Sequence, residues 1–306
     1  MSKMNSLSFS RKIDRWISLA SSFGLLNWVS DKTFLSIRYR LCLGKKLDFD
    51  HPKTYNEKLQ WLKLHDHNEE YHLLVDKYEV KKKVAERIGS DHIIPTLGVW
   101  DSFDAIDFSS LPGRFVLKCT HDSGGVVICK DKSIFDLDKA RKKMNKCLKR
   151  NYFGINREWP YKDIRPRIIA EQYMEDESGF ELKDYKFFCF DGTPKLLFIA
   201  CDRCKQNEET KFNFYDMDFR FLPFTNGHPN APSGKITKPK GFDEMRQLAA
   251  ILSKGLPHAR IDFYDINGKV FFGEITFFHW SGLMPFNPPE WDEKIGKLIK
   301  LPTDFA

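Results

Sequence analysis

Two carboxylates near the C-terminus, with an arginine beside them, have the types and spacing to hold a divalent cation. They are Asp262 and Glu274, with Arg260, in the stretch ARIDFYDINGKVFFGEITFFHWSG. Two carboxylates close together on one sheet face repel unless a cation lies between them, and their hard oxygens suit Mg2+. An ordinary cross-strand ion pair between Arg260 and Glu274, with Asp262 solvated, uses the same residues. The hairpin by itself leaves both readings open.

Which side chains meet depends on register. Runs 259–265 and 270–277 are rich in Ile, Phe, Tyr, Val and Thr, which predicts two strands joined at Ile266-Asn267-Gly268. A two-residue Asn267-Gly268 turn sets Asp262 opposite Gly273 and sends Glu274 to the other face. A three-residue loop with Gly268 left-handed sets Arg260 opposite Glu274, with Asp262 on the diagonal. Side chains alternate with period two, so a slip of one residue reverses the answer. The second register collects Arg260, Asp262, Tyr264, Phe272, Glu274 and Thr276 on one face. Ile261, Phe263, Phe271, Gly273, Ile275 and Phe277 then share the other. That separation favours the three-residue loop.

Other stretches could meet a phosphate. In FVLKCTHDSGGVVICK a strand ends at Lys118, and Ser123-Gly124-Gly125 leads into a Val-rich strand. Glycines let backbone approach an anion closely, and successive N–H groups can cradle it. A simple hairpin turn explains the same residues, and no Walker-type P-loop is present. Asp76-Lys77 opens a basic helix that ends at Gly89, which as a solvated face needs no ligand. In RIIAEQYMEDESGFELKDYKFF a strand runs into an acidic connection and then another strand. Such a hinge can offer backbone groups to a base edge, with Asp184 placed for a ribose and Lys186 for a phosphate. A plain surface loop is the alternative.

The elements that must position these groups follow from periodicity. Residues 1–88 read as helical, and Pro52, Thr54 and Glu57 predict a capping-box start. Strands follow at HIIPTLGVW, RFVLKCT and GGVVICK, then a helix at DLDKARKKMNKCLKRNYF. RIIAEQYM, DYKFFCFDG and PKLLFIACD are further strands. GFDEMRQLAAILSKGL is a helix, and the hairpin closes the chain. Residues 205–240 read as a long loop with one strand, KFNFYD, and long loops in compact enzymes are often functional.

Composition narrows the class. The chain has 306 residues, 42% hydrophobic and 30% charged, with a net charge of +7. Its length suits a large core in two lobes. The mild basicity suits anionic ligands such as nucleotides and uronic acids, or an anionic membrane surface. No run of five basic residues points to nucleic acid. The seven scattered cysteines predict a reducing compartment, and Cys201-Asp202-Arg203-Cys204 is a lone C-x-x-C without partners for zinc. The stretch WISLASSFGLLNWVS is too polar to span a bilayer and lacks the cleavage site of a signal. It reads as a helix packed on the protein, with a basic amphipathic helix on a membrane as the alternative. The expected location is cytoplasmic, with the inner membrane face kept open.

The order of these motifs resembles the ATP-grasp superfamily. HPKTYNEKLQWLKLHD, VDKYEVKKKV, LPGRFVLKCTHDSGG, RIIAEQY, LKDYKFFCFDG and KVFFGEITFFHWSGLMPF together look like the TupA-like ATP-grasp family. That family is named for teichuronopeptide synthesis and associated with bacterial surface polysaccharides (capsule, O-antigen). The resemblance implies an α+β fold in which two subdomains clasp ATP. It implies a helical region over 1–72 and an ATP-grasp domain over 73–306, with a lid at about 113–168 and a catalytic part at about 169–306. Lys77 and Lys118 match the phosphate-contacting lysines. Ser123, Gly124 and Gly125 match the phosphate loop, and Glu171, Gln172, Tyr173 and Met174 the adenine hinge. Asp184 is the ribose candidate. Arg260 matches the arginine near the transferred phosphate, and Asp262 and Glu274 the metal ligands. Thr276 stands where the superfamily usually has Asn and ligates more weakly.

The implied activity is an ADP-forming carboxylate–amine ligase using ATP and Mg2+, joining a uronic acid carboxylate to an amine or amino acid. His121, Arg203, His279 and Trp280 are the acceptor candidates. An ATP-dependent sugar phosphotransferase, a glycosyltransferase and a non-catalytic binding module are the competing readings. The glycosyltransferase lacks a Rossmann-type opening half, and the dense Lys, Gly-loop and acidic set argues against a mere binding module.

Overall fold

The computed structural model describes residues 2–176, 182–202, 209–232 and 236–302. Two helices open the chain, α1 (Ser2–Ser22) and α2 (Asp31–Leu43). Ser30 caps α2 by accepting from the Thr33 N–H, and left-handed Gly44 ends it. Ile17, Leu26 and Val29 pack with Phe34, Leu35 and Tyr39 into a small core of their own. Helix α3 (Tyr55–His65) starts at the expected capping box, with Thr54 and Glu57 bonding each other's backbone. Helices α4 (Glu70–Val75) and α5 (Glu79–Ile88) follow. The second begins two residues later than Lys77, because the Asp76 carboxylate accepts from the Tyr78 and Glu79 N–H groups.

Two antiparallel sheets carry the rest. The first has the order β1 (Thr96–Trp100), β4 (Ile168–Gln172), β2 (Phe115–Cys119) and β3 (Val126–Cys129). Helix α6 (Leu137–Leu148) packs on β2 and β3, burying Met144 against Phe115 and Leu117. A short helix α7 (Tyr152–Asn156) then touches α1. The second sheet has six strands. Its order is β11 (Lys269–Thr276), β10 (Ala259–Ile266), β5 (Asp184–Phe190), β6 (Thr193–Cys201), β7 (Lys211–Asp216) and β8 (Phe221–Leu222). Helix α8 (Phe242–Ser253) covers it. The aromatics of β5 to β7 share one core with Tyr55, Leu59, Leu74 and Val84 of the early helices. Each such fully buried Phe or Leu contributes about 1.5–3 kcal/mol. A small ribbon pairs β9 (Thr225–Asn226) with β12 (Phe286–Asn287), and α9 (Glu290–Gly296) ends the described elements.

The hairpin of β10 and β11 differs from the expected three-residue loop. Ile266 faces Lys269, so the turn is the two-residue Asn267-Gly268. Both turn residues have positive φ, 56° and 88°. This mirror-image turn matches the twist of the strands, where a longer loop would splay them. Tyr264 therefore faces Phe271, and Phe263 faces Phe272. The missing odd residue is supplied farther along. Gly273 is skipped as a β-bulge, and Asp262 lies directly opposite Glu274. Arg260 consequently faces Thr276, not Glu274. A Cβ on Gly273 would lie 3.0 Å from the Asp262 carbonyl oxygen and 3.3 Å from the Tyr264 ring. Glycine is what lets the bulge close.

Candidate active site

Three strands contribute one residue each to a lateral row. Asp262 on β10 is flanked by Lys186 on β5 and Glu274 on β11. Lys186 Nζ donates to Asp262 Oδ2. Arg260 lies one step along the same face and ties the group together. Its Nε and Nη2 each donate to Asp262 at 2.7 Å, and Nη2 also reaches Glu274 and Thr276 at 2.9 Å. Burial raises the Asp262 carboxyl above its ordinary value, although Arg260 and Lys186 pull the other way. Partial burial opposes charge on Glu274 too, yet Lys186, Arg260 and Lys77 hold it down at about 2. Asp262, Glu274 and the Thr276 hydroxyl form an oxygen-only donor set on one face. That chemistry fits a hard divalent cation such as Mg2+.

The fourth partner of Arg260 is His279, whose Nδ1 accepts from Nη1 at 2.9 Å. Arg can only donate, so the imidazole proton is on Nε2, where it meets Asn226 Oδ1 at 3.0 Å. Burial and the nearby guanidinium push the His279 pKa far down, so the ring stays neutral. His279 positions Arg260, and neither of its nitrogens is free for an acceptor.

Next to this row lies a cleft of about 210 Å³ lined by Lys77, Lys81, Lys118, Ser123, Gly124, Glu171, Asp184, Lys186 and Glu274. Lys118 and Lys81 both bind Glu171 at 2.5 Å. Burial alone would raise the Glu171 carboxyl, but the two ammonium groups hold it below the usual range. The sequence reading missed Lys81. Its signal was the i, i+4 spacing from Lys77 in VDKYEVKKKV, which turns both toward one side. Lys77 Nζ donates to the Asp122 carbonyl and so pins the base of the Gly loop. A Cβ on Gly125 would strike the Asp122 carboxylate at 2.5 Å, while left-handed Gly124 faces open space.

The cleft continues in two directions. One is a mostly apolar cavity of about 350 Å³, walled by Val116, Val126, Ile128, Gln172, Tyr173, Met174, Leu182 and Tyr264. The other is a chamber of about 770 Å³ that shares Ser123, Lys186 and Glu274 with the cleft. Tyr152, Glu158, Tyr161, Arg260 and Trp280 line it, and so do Asp14, Arg38 and Cys42 from the first two helices. Apolar cavity, lysine cleft and chamber form one line, with Glu274 at the second junction.

Of the acceptor candidates, Trp280 is in the chamber wall and part-exposed. His121 is not in the chamber: it is buried, and neither ring nitrogen has a hydrogen-bond partner. Arg203 lies outside the described residues. A polar stripe on α3 was also missed. Asn56, Gln60 and Lys63 are buried beside the apolar Tyr55, Leu59 and Leu62. Gln60 donates to the Ser281 and Gly282 carbonyls, and Lys63 to the Ser281 carbonyl and hydroxyl. They hold a turn in which Trp280, Ser281 and Gly282 all have positive φ, at 49°, 57° and 62°. Each non-Gly residue so placed costs about 1–2 kcal/mol. Burial brings the Lys63 pKa down to about 7. Glu158, in the chamber wall, is raised by burial although Lys63 is near.

No curated protein matches the chain. Among solved structures, a D-alanine–D-alanine ligase from Helicobacter pylori matches at 14% identity and a TM-score of 0.41, over 82% of this chain and 68% of that one. The ATP-grasp ligase PsnB, complexed with minimal precursor, Mg and ADP, matches at 12% identity and 0.38, over 83% and 64%. An N5-carboxyaminoimidazole synthase from Aspergillus clavatus, in complex with ADP and a ribonucleotide, matches at 12% and 0.37, over 68% and 46%. The chain thus spans from under half to about two thirds of these proteins. A sequence model described as TupA-like ATP-grasp matches residues 57–300. With most of its length inside that match, this α+β chain has an ATP-grasp fold and belongs to the TupA-like ATP-grasp family of enzymes.

Proposed function

We propose that the protein is an ADP-forming carboxylate–amine ligase that uses ATP and Mg2+. The observation that carries this reading is the Lys186–Asp262–Glu274 row with Arg260, set where the lysine cleft meets the chamber. In this reading the apolar cavity takes the adenine, beside Gln172, Tyr173 and Met174, and Asp184 takes the ribose. Lys77, Lys118, Ser123 and Gly124 line the path of the phosphates, and Lys81 holds Glu171 so that Lys118 stays aimed into the cleft. In this reading the lid, about 113–168, holds β2, β3 and α6, and the catalytic side runs from about 169 onward.

Asp262, Glu274 and Thr276 would hold Mg2+, which neutralises charge on the transferring phosphoryl group. Arg260 and Lys186 do the same from the protein side, at positions fixed by their bonds to the carboxylates. A substrate carboxylate oxygen bonds to the γ-phosphorus as the bond to ADP breaks. An amine nitrogen then bonds to the acyl carbon as phosphate leaves, and the amine proton goes to solvent or a chamber carboxylate. A uronic acid is the proposed carboxylate, in bacterial surface-polysaccharide synthesis. The chamber supports this with aromatic walls at Tyr152, Phe212 and Trp280 beside Arg and Lys. ATP and reduced thiols suit the cytoplasm, and no disulfide joins the described cysteines.

The test is nucleotide release over a panel of uronic acids and amino acids. ADP and phosphate should appear only when both a carboxylate and an amine are present. AMP in place of ADP, or turnover without an amine, would remove the acyl-phosphate route. Asp262→Asn and Glu274→Gln should each lower ADP release by about a hundredfold or more with the circular dichroism spectrum unchanged.

A further inference from the structure

The charge of this chain is divided unevenly. Residues 1–47 contain nine Lys and Arg against two Asp. The remaining 259 residues contain 40 basic and 40 acidic residues. The whole net charge of +7 therefore belongs to the first two helices and their flanks. Both acidic residues in this segment are already spent, Asp14 on Arg38 at 2.6 Å and Asp31 on Arg157 at 3.0 Å.

The same segment exposes large apolar side chains. Trp16 is 72% exposed, Phe23 71%, Leu25 66% and Trp28 83%. Ile13, Trp16 and Leu19 cover an arc of about 120° on α1 at 100° per residue, and Phe23 follows directly after the helix end. The opposite side of α1 is the packed one, with Ile17 in the small core and Ser21 bonded to the Gly154 carbonyl. Exposed Leu25 and Trp28 follow in the turn after the helix; exposed Lys12 lies within the arc and exposed Arg15 at its edge. So many exposed aromatics in one patch mark an interaction surface rather than ordinary exposure.

We infer that this face docks on an anionic phospholipid surface. Trp and Phe settle at the boundary of headgroups and acyl chains, and Lys and Arg beside them meet the lipid phosphates. A second copy of the chain is the poorer occupant, since a two-fold interface would press two strongly basic segments together. Among the described residues no helix is long and apolar enough to cross a membrane, so α1 lies on the surface. The other side of the pair, through Asp14, Arg38 and Cys42, walls the chamber. Docking therefore turns that wall toward the bilayer, about one helix diameter, 10 Å, from the headgroups.

The test is sedimentation of the full chain with vesicles. Phosphatidylcholine containing about one third phosphatidylglycerol should bind it at least tenfold more tightly than phosphatidylcholine alone, with binding weakened by salt. The triple variant Trp16→Ser, Phe23→Ser, Trp28→Ser should lose at least tenfold while keeping the wild-type Tm, because all three side chains are exposed. The inference is overturned if the wild type ignores anionic vesicles, or if the triple variant binds them equally well. A wild-type dimer that becomes monomeric in the variant, without vesicle binding, would assign the face to a second copy. Capture by polyglutamate without vesicle binding would assign it to an acidic protein.

Discussion

At the scale of single residues, this site turns on which charges are already matched. Asp262 and Glu171 are buried carboxylates, and each is met by two cations. A buried charge is tolerable only with such partners. Lys63 is different: it is buried against neutral oxygens, and burial lowers its pKa. Between that lowered value and the unfolded value the unfolded chain binds the extra proton. Its contribution to stability therefore rises as pH increases above about 7. Arg38 and Glu158 also act on this group, in opposite senses. Lys63→Met should flatten the pH dependence of Tm between about pH 7 and 9. Parallel Tm profiles for the two proteins would show that Lys63 is protonated throughout. The lowered Glu274 carboxyl, by contrast, is charged at any working pH and needs no such adjustment.

At the scale of elements, one hairpin and one helix shape the site. Parity required an odd residue between Asp262 and Glu274, and that much was readable from the alternation of side chains. Its location was not. The turn took the two residues that strand twist prefers, and Gly273 absorbed the remainder as a bulge. Gly273→Ala forces a backbone shift at Asp262, so Tm should fall by the equivalent of about 1–3 kcal/mol. ADP release should fall further, by about a hundredfold, since a displacement near 1 Å at the reacting groups costs that much. Wild-type turnover in this variant would show that the bulge does not set the ligands. Helix α3 repeats the lesson. Its capping box was legible from four residues, because capping is local. Nothing local marks its stripe of Asn56, Gln60 and Lys63 as buried, because the turn it serves lies over 200 residues away.

At the scale of the whole molecule, two sheets face a continuous line of cavities, and the early helices close its far end. A ligand that bridges the sheets should stabilise both. A non-hydrolysable ATP analogue with Mg2+, at about 100 times its Kd, adds roughly 2.7 kcal/mol. A rise of a few degrees in Tm is expected, smaller without Mg2+ and in Asp262→Asn. An equal shift in all three conditions would remove the metal assignment while leaving the nucleotide site standing.

The motifs in their order, read from the sequence, determined the family resemblance and the α+β fold, and they singled out Lys77, Lys118 and the Gly loop, but not Lys81, of the lysine cleft. They could do so because strand alternation, helix caps and Gly turns are local and leave their marks within a few positions. Only the tertiary structure decided that Glu171 is clamped by Lys81 as well as Lys118, that His279 serves Arg260, and that His121 stands outside the chamber. It also decided that α1 turns a second apolar face outward. Each of those facts depends on which side of a chain meets a segment far away in sequence, and that is settled by packing, not by neighbours along the chain.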